Sequence, residues 1–208
     1  DSSKLYVSHL KECLDSLAQQ TFNDFETILV DNGSKDNSLT FVKENYPLVQ
    51  TVALKKNRGF ARGNNIGISR AKGEFVALLN NDTRLDASWL AELHSAITSE
   101  NEPGFCASKV LYYDDSKLID TVGDGISICG APFKRGHLND FGMFSNKEYV
   151  FGAPGCAVLY RKTMLDDVGG LDDDFFAIFE DGDLSFRCQL KGYKCLYVPT
   201  AIVYHKVN

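Results

Sequence analysis

The chain has 208 residues, and its 22 Lys and Arg against 28 Asp and Glu give a formal charge of −6. At 44% apolar and 24% charged it has the composition of a folded domain, and a disordered chain is excluded. A chain of this size buries roughly 70% of its unfolded surface, so one core suffices without disulfide or metal staples.

The acidic balance argues against a nucleic-acid partner, because binding by phosphate neutralisation calls for a basic face. Neither a signal-peptide pattern nor a membrane-length apolar run is evident, which points to a cytoplasmic location. The cysteines at 13, 106, 129, 156, 188 and 195 form no CxxC pair and are expected to be reduced core residues.

In chain order, Leu10, Cys13, Leu14 and Leu17 recur at helical spacing over 8–20. The run 25–30 reads as a strand ending at Asp31. A helix over 36–46 and a strand over 50–54 follow. A weaker helix over 60–72 leads into the apolar strand 74–79, and Trp89, Leu90, Leu93 and Ile97 mark a helix over 87–99. This alternation predicts a parallel sheet flanked by helices, with ligands beyond the carboxyl ends of the strands. From about residue 104 the pattern changes to strand-like pieces at 105–113, 126–134 and 149–160. Helices at 162–168 and 182–191 come next, then a strand pair at 194–198 and 201–206. One domain is expected, with a nucleotide-type half over 1–104 and an irregular half over 105–208.

Four segments combine residue types that could carry chemistry. Asp31-Asn32-Gly33-Ser34 follows a strand and either presents a carboxylate and free amides to a ligand or simply turns into a helix capped by Ser34 or Asp36. Residues 55–65 bring Lys55, Lys56, Arg58 and Arg62 together with glycines, a composition suited to a polyanion or to a solvated basic face. Asn80-Asn81-Asp82-Thr83 closes the most apolar early strand. An acid there suits Mg²⁺ or Mn²⁺ shared with substrate phosphates, or a local turn. Glu180-Asp181-Gly182-Asp183 adjoins Phe175, Phe176 and Phe179, a setting for a general base or for helix capping by Asp181. His205, at the end of the last strand, is structural or a ligand. The sequons at Asn32 and Asn81 fall inside these segments, which suits an intracellular protein better than a glycosylated one.

In order and spacing, the stretches CLDSLAQQTFNDFETILVDNGSKDNS, NRGFARGNNIGISRAKGEFVALLNNDT, FGAPGCAVLYRKTMLDDVGGLDDDFFAIFEDGDLSFRCQLKGYKCLYVP and AIVYHK resemble family 2 glycosyltransferases of GT-A fold, in particular the bacterial rhamnosyltransferase-like branch. The resemblance spans about residue 13 to residue 206 and is weakest over 105–148. It implies an α/β GT-A-type nucleotide-diphospho-sugar transferase fold, with a mostly parallel sheet between helices and an irregular acceptor-side half. The implied reaction moves a hexosyl or rhamnosyl unit with inversion from a UDP- or dTDP-sugar to a hydroxyl of a glycan or lipid-linked acceptor. Such chemistry serves surface polysaccharide synthesis and can sit at the inner face of the membrane.

By position, the resemblance places Asp31, Gly33, Asn57, Arg58, Arg62, Asn80 and Asn81 around the nucleotide sugar. Asp82 and His205 become ligands of a divalent cation, Mg or Mn. Asp181 becomes the catalytic base, with Glu180 the fallback. Asn80-Asn81-Asp82 stands where the family usually carries Asp-x-Asp, leaving Asp82 as the main charged ligand. The apolar strand with which the family opens has no counterpart before the first helix and is expected to be missing. Two other functions share parts of this pattern: a sugar-phosphate nucleotidyltransferase, which would need a glycine-rich triphosphate loop near the start, and a non-catalytic nucleotide-sugar or glycan-binding module.

The charge is unevenly placed. Residues 166–183 hold eight acids and no Lys or Arg, so the rest of the chain sums to +2, from 22 cations against 20 acids.

Overall fold

The computed structural model describes residues 2–100 and 102–207, with side chains from Val7 onward. Helix α1 (Ser2–Ala18) buries Leu10, Cys13 and Leu14. Strand β1 (Ile28–Asp31), helix α2 (Ser38–Asn45) and strand β2 (Gln50–Ala53) follow, and β1 and β2 pair in parallel. Helix α3 (Phe60–Arg70) leads to β3 (Phe75–Leu79), a short β4 (Thr83–Leu85) and α4 (Trp89–Ile97). The second half contributes β5 (Phe105–Tyr112), β6 (Ile119–Thr121), β7 (Asp124–Ile126), β8 (Pro132–Lys134), β9 (Glu148–Val150) and β10 (Ala157–Arg161). Helices α5 (Lys162–Val168) and α6 (Glu180–Leu190) and strand β11 (Cys195–His205) complete the chain.

The layered α/β arrangement is as expected, while strand direction is mixed. The main sheet has seven strands in the order β3-β10-β5-β11-β4, with β6 added on β5 and β9 on β11. Its parallel ladder is β5–β11, whereas β10 runs antiparallel to both β3 and β5, and β4 and β9 run antiparallel to β11. The early strands do not join in one sheet. Strand β3 takes β10 from the second half as its neighbour, and β1–β2 stands apart. Among the described residues the other edges of β1 and β3 carry no paired strand, and a cleft of about 800 Å³ opens between them. The cleft is lined by Leu10, Leu14, Leu29, Val30, Val76 and Leu78 among others.

Other segments also differ from the sequence expectation. The two final strands are one bulged strand, whose register against β5 shifts between Val198 and Ile202. Pro199 lies in that interval, and proline lacks the N–H a regular ladder needs. The predicted strand 126–134 resolves into the hairpin β7–β8, and 149–160 into β9 and β10 with a loop between. Strands β4 and β6, three residues each, are too short to leave a periodic signal. Helix α6 begins at Glu180 rather than 182.

The core explains the continuous apolar run of β5, which is buried on both faces as a central strand must be. Phe105, Ala107 and Leu111 pack with Met164, Leu165 and Leu184 from α5 and α6. Cys106 and Val110 pack on the opposite face with Trp89, Leu93 and Ile97 from α4. Burying one large apolar side chain contributes about 1.5–3 kcal/mol. The Trp89 indole also donates to Ser108 Oγ at 2.9 Å, so its polar edge is satisfied. Five cysteines are buried, as expected, and Cys129 is exposed; all six are free thiols.

Candidate active site

The site forms where the carboxyl ends of β1 and β3 meet the start of α6. At the end of β1, Asp31 Oδ1 accepts the Ser34 amide at 3.0 Å, and Asp36 Oδ1 accepts the Ser38 amide at 3.0 Å before α2. Gly33 takes φ +83, and a Cβ there would lie 2.7 Å from the Lys56 carbonyl carbon. The Asp31–Ser34 turn therefore presses directly on the cationic loop, an approach open only to glycine. Asn32 staples the two together. Its Oδ1 accepts the Arg58 amide at 2.8 Å, while its Nδ2 donates to Asn57 Oδ1 at 3.1 Å and Gly59 O at 2.9 Å.

Sequence reasoning passed over Asn32 and assigned Asn57 to the ligand. In the structure, Asn57 Oδ1 is taken up within the loop, where it also accepts the Gly59 amide at 2.8 Å. Lys55, Lys56 and Arg58 are exposed beside this turn. Arg62 pairs with Asp173 at 3.7 Å. Asn65 reinforces that link, donating to Asp173 Oδ1 at 2.8 Å and to Leu171 O at 2.7 Å.

At the end of β3, the Asn80 amide donates to Cys156 O at 2.9 Å, and Asn81 is exposed. Asp82 Oδ1 is buried and has no hydrogen-bond partner among the described residues. It lies 3.4 Å from His205 Nε2, whose other ring nitrogen lies 3.4 Å from Asp120 Oδ2. Burial alone would lower the His205 pKa, but the two carboxylates outweigh it and raise it to about 9.

An unpartnered carboxylate oxygen facing an imidazole nitrogen fits a divalent cation, which would take the place of the ring proton. Among the described residues no group of three or more His, Cys, Asp and Glu is arranged for a metal. A cation here would have Asp82 and His205 as protein ligands and complete its shell with phosphate and water oxygens, the habit of Mg²⁺ and Mn²⁺ at diphosphate sites.

At the other end of the site, Asp181 occupies the first turn of α6. Its Oδ2 accepts the Gly155 amide at 2.9 Å and its Oδ1 the Gly182 amide at 2.8 Å. The loop before β10 thus ties both ends of the site together, since Gly155 holds Asp181 while the adjacent Cys156 holds Asn80. Capping by Asp181 does not occur, because the N-cap position belongs to Phe179 in a left-handed conformation. Asp183 pairs with Arg187 along the helix at 2.7 Å. Glu180 is buried, its Oε2 has no partner, and burial raises its pKa.

The structure also brings in two acids that carried no sequence signal. Asp120 on β6 is 1% exposed, and Asp124 on β7 is 8% exposed. Burial, with the nearby Asp181 carboxylate, pushes the Asp124 carboxyl up to about 7 against the opposing pull of Lys134. Both lie in the weakly patterned 105–148 stretch, where only Asp124 has glycine neighbours, Gly123 and Gly125.

Residues 7–169 match the sequence model of glycosyl transferase family 2. The chain is 23% identical over 213 residues to the putative glycosyltransferase EpsH of Bacillus subtilis, covering 97% of this chain and 58% of that protein. It is 26% identical over 205 residues to the poly-beta-1,6-N-acetyl-D-glucosamine synthase of Staphylococcus aureus, covering 93% and 45%. Among solved structures, GalNAc-T7 with UDP, GalNAc and Mn²⁺ superposes with a TM-score of 0.79 at 16% identity, over 97% of this chain and 41% of that one. The chain thus spans less than two thirds of each of these proteins. The fold is that of the GT-A glycosyltransferases. With a family match over most of its length and the Asp31, Asp82 and Asp181 segments converging on one site, the chain belongs to glycosyl transferase family 2.

Proposed function

We propose that the chain is the catalytic domain of an inverting glycosyltransferase that moves a sugar from a nucleoside diphosphate to a hydroxyl of a glycan or lipid-linked acceptor in polysaccharide synthesis. The observation that carries this reading is the joined site itself. Adjacent residues of one loop hold a carboxylate on the acceptor side, through Gly155 and Asp181, and the end of the strand leading to Asp82, through Cys156 and Asn80. Family membership and the Mn²⁺ and UDP bound in GalNAc-T7 support it.

Asp181 is the better base of the two acidic neighbours. Two backbone amides orient its two oxygens, whereas Glu180 is buried and burial raises its pKa. As the acceptor oxygen bonds to the anomeric carbon, its proton passes to Asp181 and the bond from that carbon to the diphosphate oxygen breaks. The displacement inverts the anomeric centre, and no covalent enzyme intermediate is needed. Asp31, Gly33 and Asn81 border the nucleoside, and Lys55, Lys56 and Arg58 supply positive charge to the departing diphosphate. Asp82 and His205 would hold a divalent cation, which when bound neutralises the leaving group. Among the described residues no helix is long and apolar enough to cross a membrane, so a lipid-linked acceptor would be met at the membrane surface.

A panel of UDP-, dTDP- and GDP-hexoses and dTDP-rhamnose, offered with Mg²⁺ or Mn²⁺ and glycan acceptors, tests the reading. Nucleoside diphosphate release coupled to glycoside formation is the expected result. Pyrophosphate release would instead identify a sugar-phosphate nucleotidyltransferase, and binding without turnover of any donor a non-catalytic module.

A further inference from the structure

Strand order sets β6, β5, β11 and β4 side by side, with the paired positions on β5 offset by one residue. In the ladders β6–β5–β11–β4, Ile119 pairs with Leu111, His205 with Tyr112, and His205 again with Thr83. Asp120 on β6 and Asp82 beside β4 therefore flank the His205 imidazole from opposite sides. The Nδ1 atom lies 3.4 Å from Asp120 Oδ2, and Nε2 lies 3.4 Å from Asp82 Oδ1.

Asp120 is far more buried than its partners. Its side chain is 1% exposed, against 15% for His205 and 44% for Lys134, which binds Asp120 Oδ1 at 2.5 Å. His137 Nδ1 is 3.0 Å from the Asp120 carbonyl oxygen and 3.8 Å from Oδ1. A carboxylate this buried is costly unless both oxygens are engaged. Lys134 accounts for Oδ1, and among the described residues it is the His205 ring that faces Oδ2.

We infer that Asp120 is the positioning residue of the cation site, accepting the Nδ1–H of His205 so that the Nε2 lone pair is aimed past Asp82 at the cation. The inference rests on the proposed cation role of Asp82 and His205. A ligating histidine that donates its second ring N–H to a carboxylate is fixed in tautomer and in ring orientation. The β7–β8 hairpin adds a structural link, because Lys134, the other partner of Asp120, lies on the hairpin that also carries Asp124. Asp120 thus ties the acceptor-side half of the chain to the cation ligand on its last strand.

Direct Mn²⁺ binding, followed by electron paramagnetic resonance with and without UDP, separates this inference from the reading beneath it. Asp120→Asn should weaken Mn²⁺ by about 10–100-fold, and it should add no further loss in a His205→Ala background. Asp120→Glu, which keeps the acceptor, should recover part of the affinity. If Asp120→Asn does not fold, Asp120→Asn combined with Lys134→Met removes both charges of the ion pair and carries the same comparison. An unchanged Mn²⁺ affinity, or an equal loss with and without His205, overturns the positioning role while leaving the cation site standing. Absence of Mn²⁺ binding by the unaltered protein with UDP overturns both.

Discussion

Asp82 and His205, far apart in sequence, form one pair because His205 stands opposite Thr83 in the β4–β11 ladder. The same register lets the Lys206 amide donate to Asp82 O at 3.0 Å, which holds the two backbones together while the side chains meet. The pairing makes Asp82 the most informative single substitution. Asp82→Ala should raise the Kd for nucleoside diphosphate in Mn²⁺ by at least about 100-fold, since even outer partners of metal ligands cost 10–100-fold. Calorimetry with and without Mn²⁺ reads the effect directly. Unchanged Mn²⁺-dependent affinity would move the cation to other residues.

Asp181→Asn keeps the shape of the side chain and loses its capacity to accept a proton. Nucleotide binding should stay near the unaltered value while transfer falls by about 10²–10⁴-fold. Glu180→Gln should retain transfer, because Glu180 is buried, whereas two backbone amides orient the Asp181 carboxyl. Steady-state rates for the two variants side by side decide the assignment. The reverse ranking would make Glu180 the base.

Gly33 and Gly130 share φ +83 but differ in surroundings. A Cβ at Gly33 would meet the Lys56 backbone at 2.7 Å, and one at Gly130 would meet nothing within 4 Å. Both alanine variants incur the left-handed backbone strain of about 1–3 kcal/mol. Only Gly33→Ala must also push the cationic loop away, so it should show the larger drop in melting temperature and weaker nucleotide binding. Equal effects would mean that the two loops are not in the contact seen here.

Asp124 gives stability a pH dependence. Its carboxyl is raised to about 7 by burial, with Asp181 and Asp120 adding to the rise and Lys134 opposing it. The folded chain thus holds a proton that the unfolded chain releases near pH 4. The stabilisation is full below that pH and is lost as pH rises through 7. Asp124→Asn removes the dependence, so its stability relative to the unaltered protein should improve by about 2–3 kcal/mol between pH 5 and pH 8. Urea unfolding at the two pH values measures the change, and a constant difference would place the Asp124 pKa outside this window.

The first half was largely legible in the sequence because most of its helices and strands are long enough to show their periods, and because Asp31 closes the apolar run of β1 and Asp82 comes three residues after that of β3. The acidic window also announced Asp181 through its eight uncompensated acids. Asp120 and Asp124 were not legible. They sit on three-residue strands, where two-residue alternation is too brief to register, and nothing in the local pattern separates a buried acid from a solvated one. Asn32 was missed for another reason. A polar turn residue looks the same whether it faces a ligand or, as here, staples two loops through three hydrogen bonds.

By itself the sequence determined the order of most helices and longer strands, the family resemblance, and the division of a net −6 into one acidic segment and a near-neutral remainder. Periodicity reports which face of a segment is buried, and turn residues report where it ends. Neither reports which distant segment lies alongside. Only the tertiary structure decided that β3 pairs with β10 rather than extending β1–β2, that β11 carries His205 to Asp82, and that β6 sets Asp120 behind it. Those are properties of ladder register between strands remote in sequence. They place the acidic groups in contact with particular cations and amides, and so separate the buried acids of the site from the solvated ones.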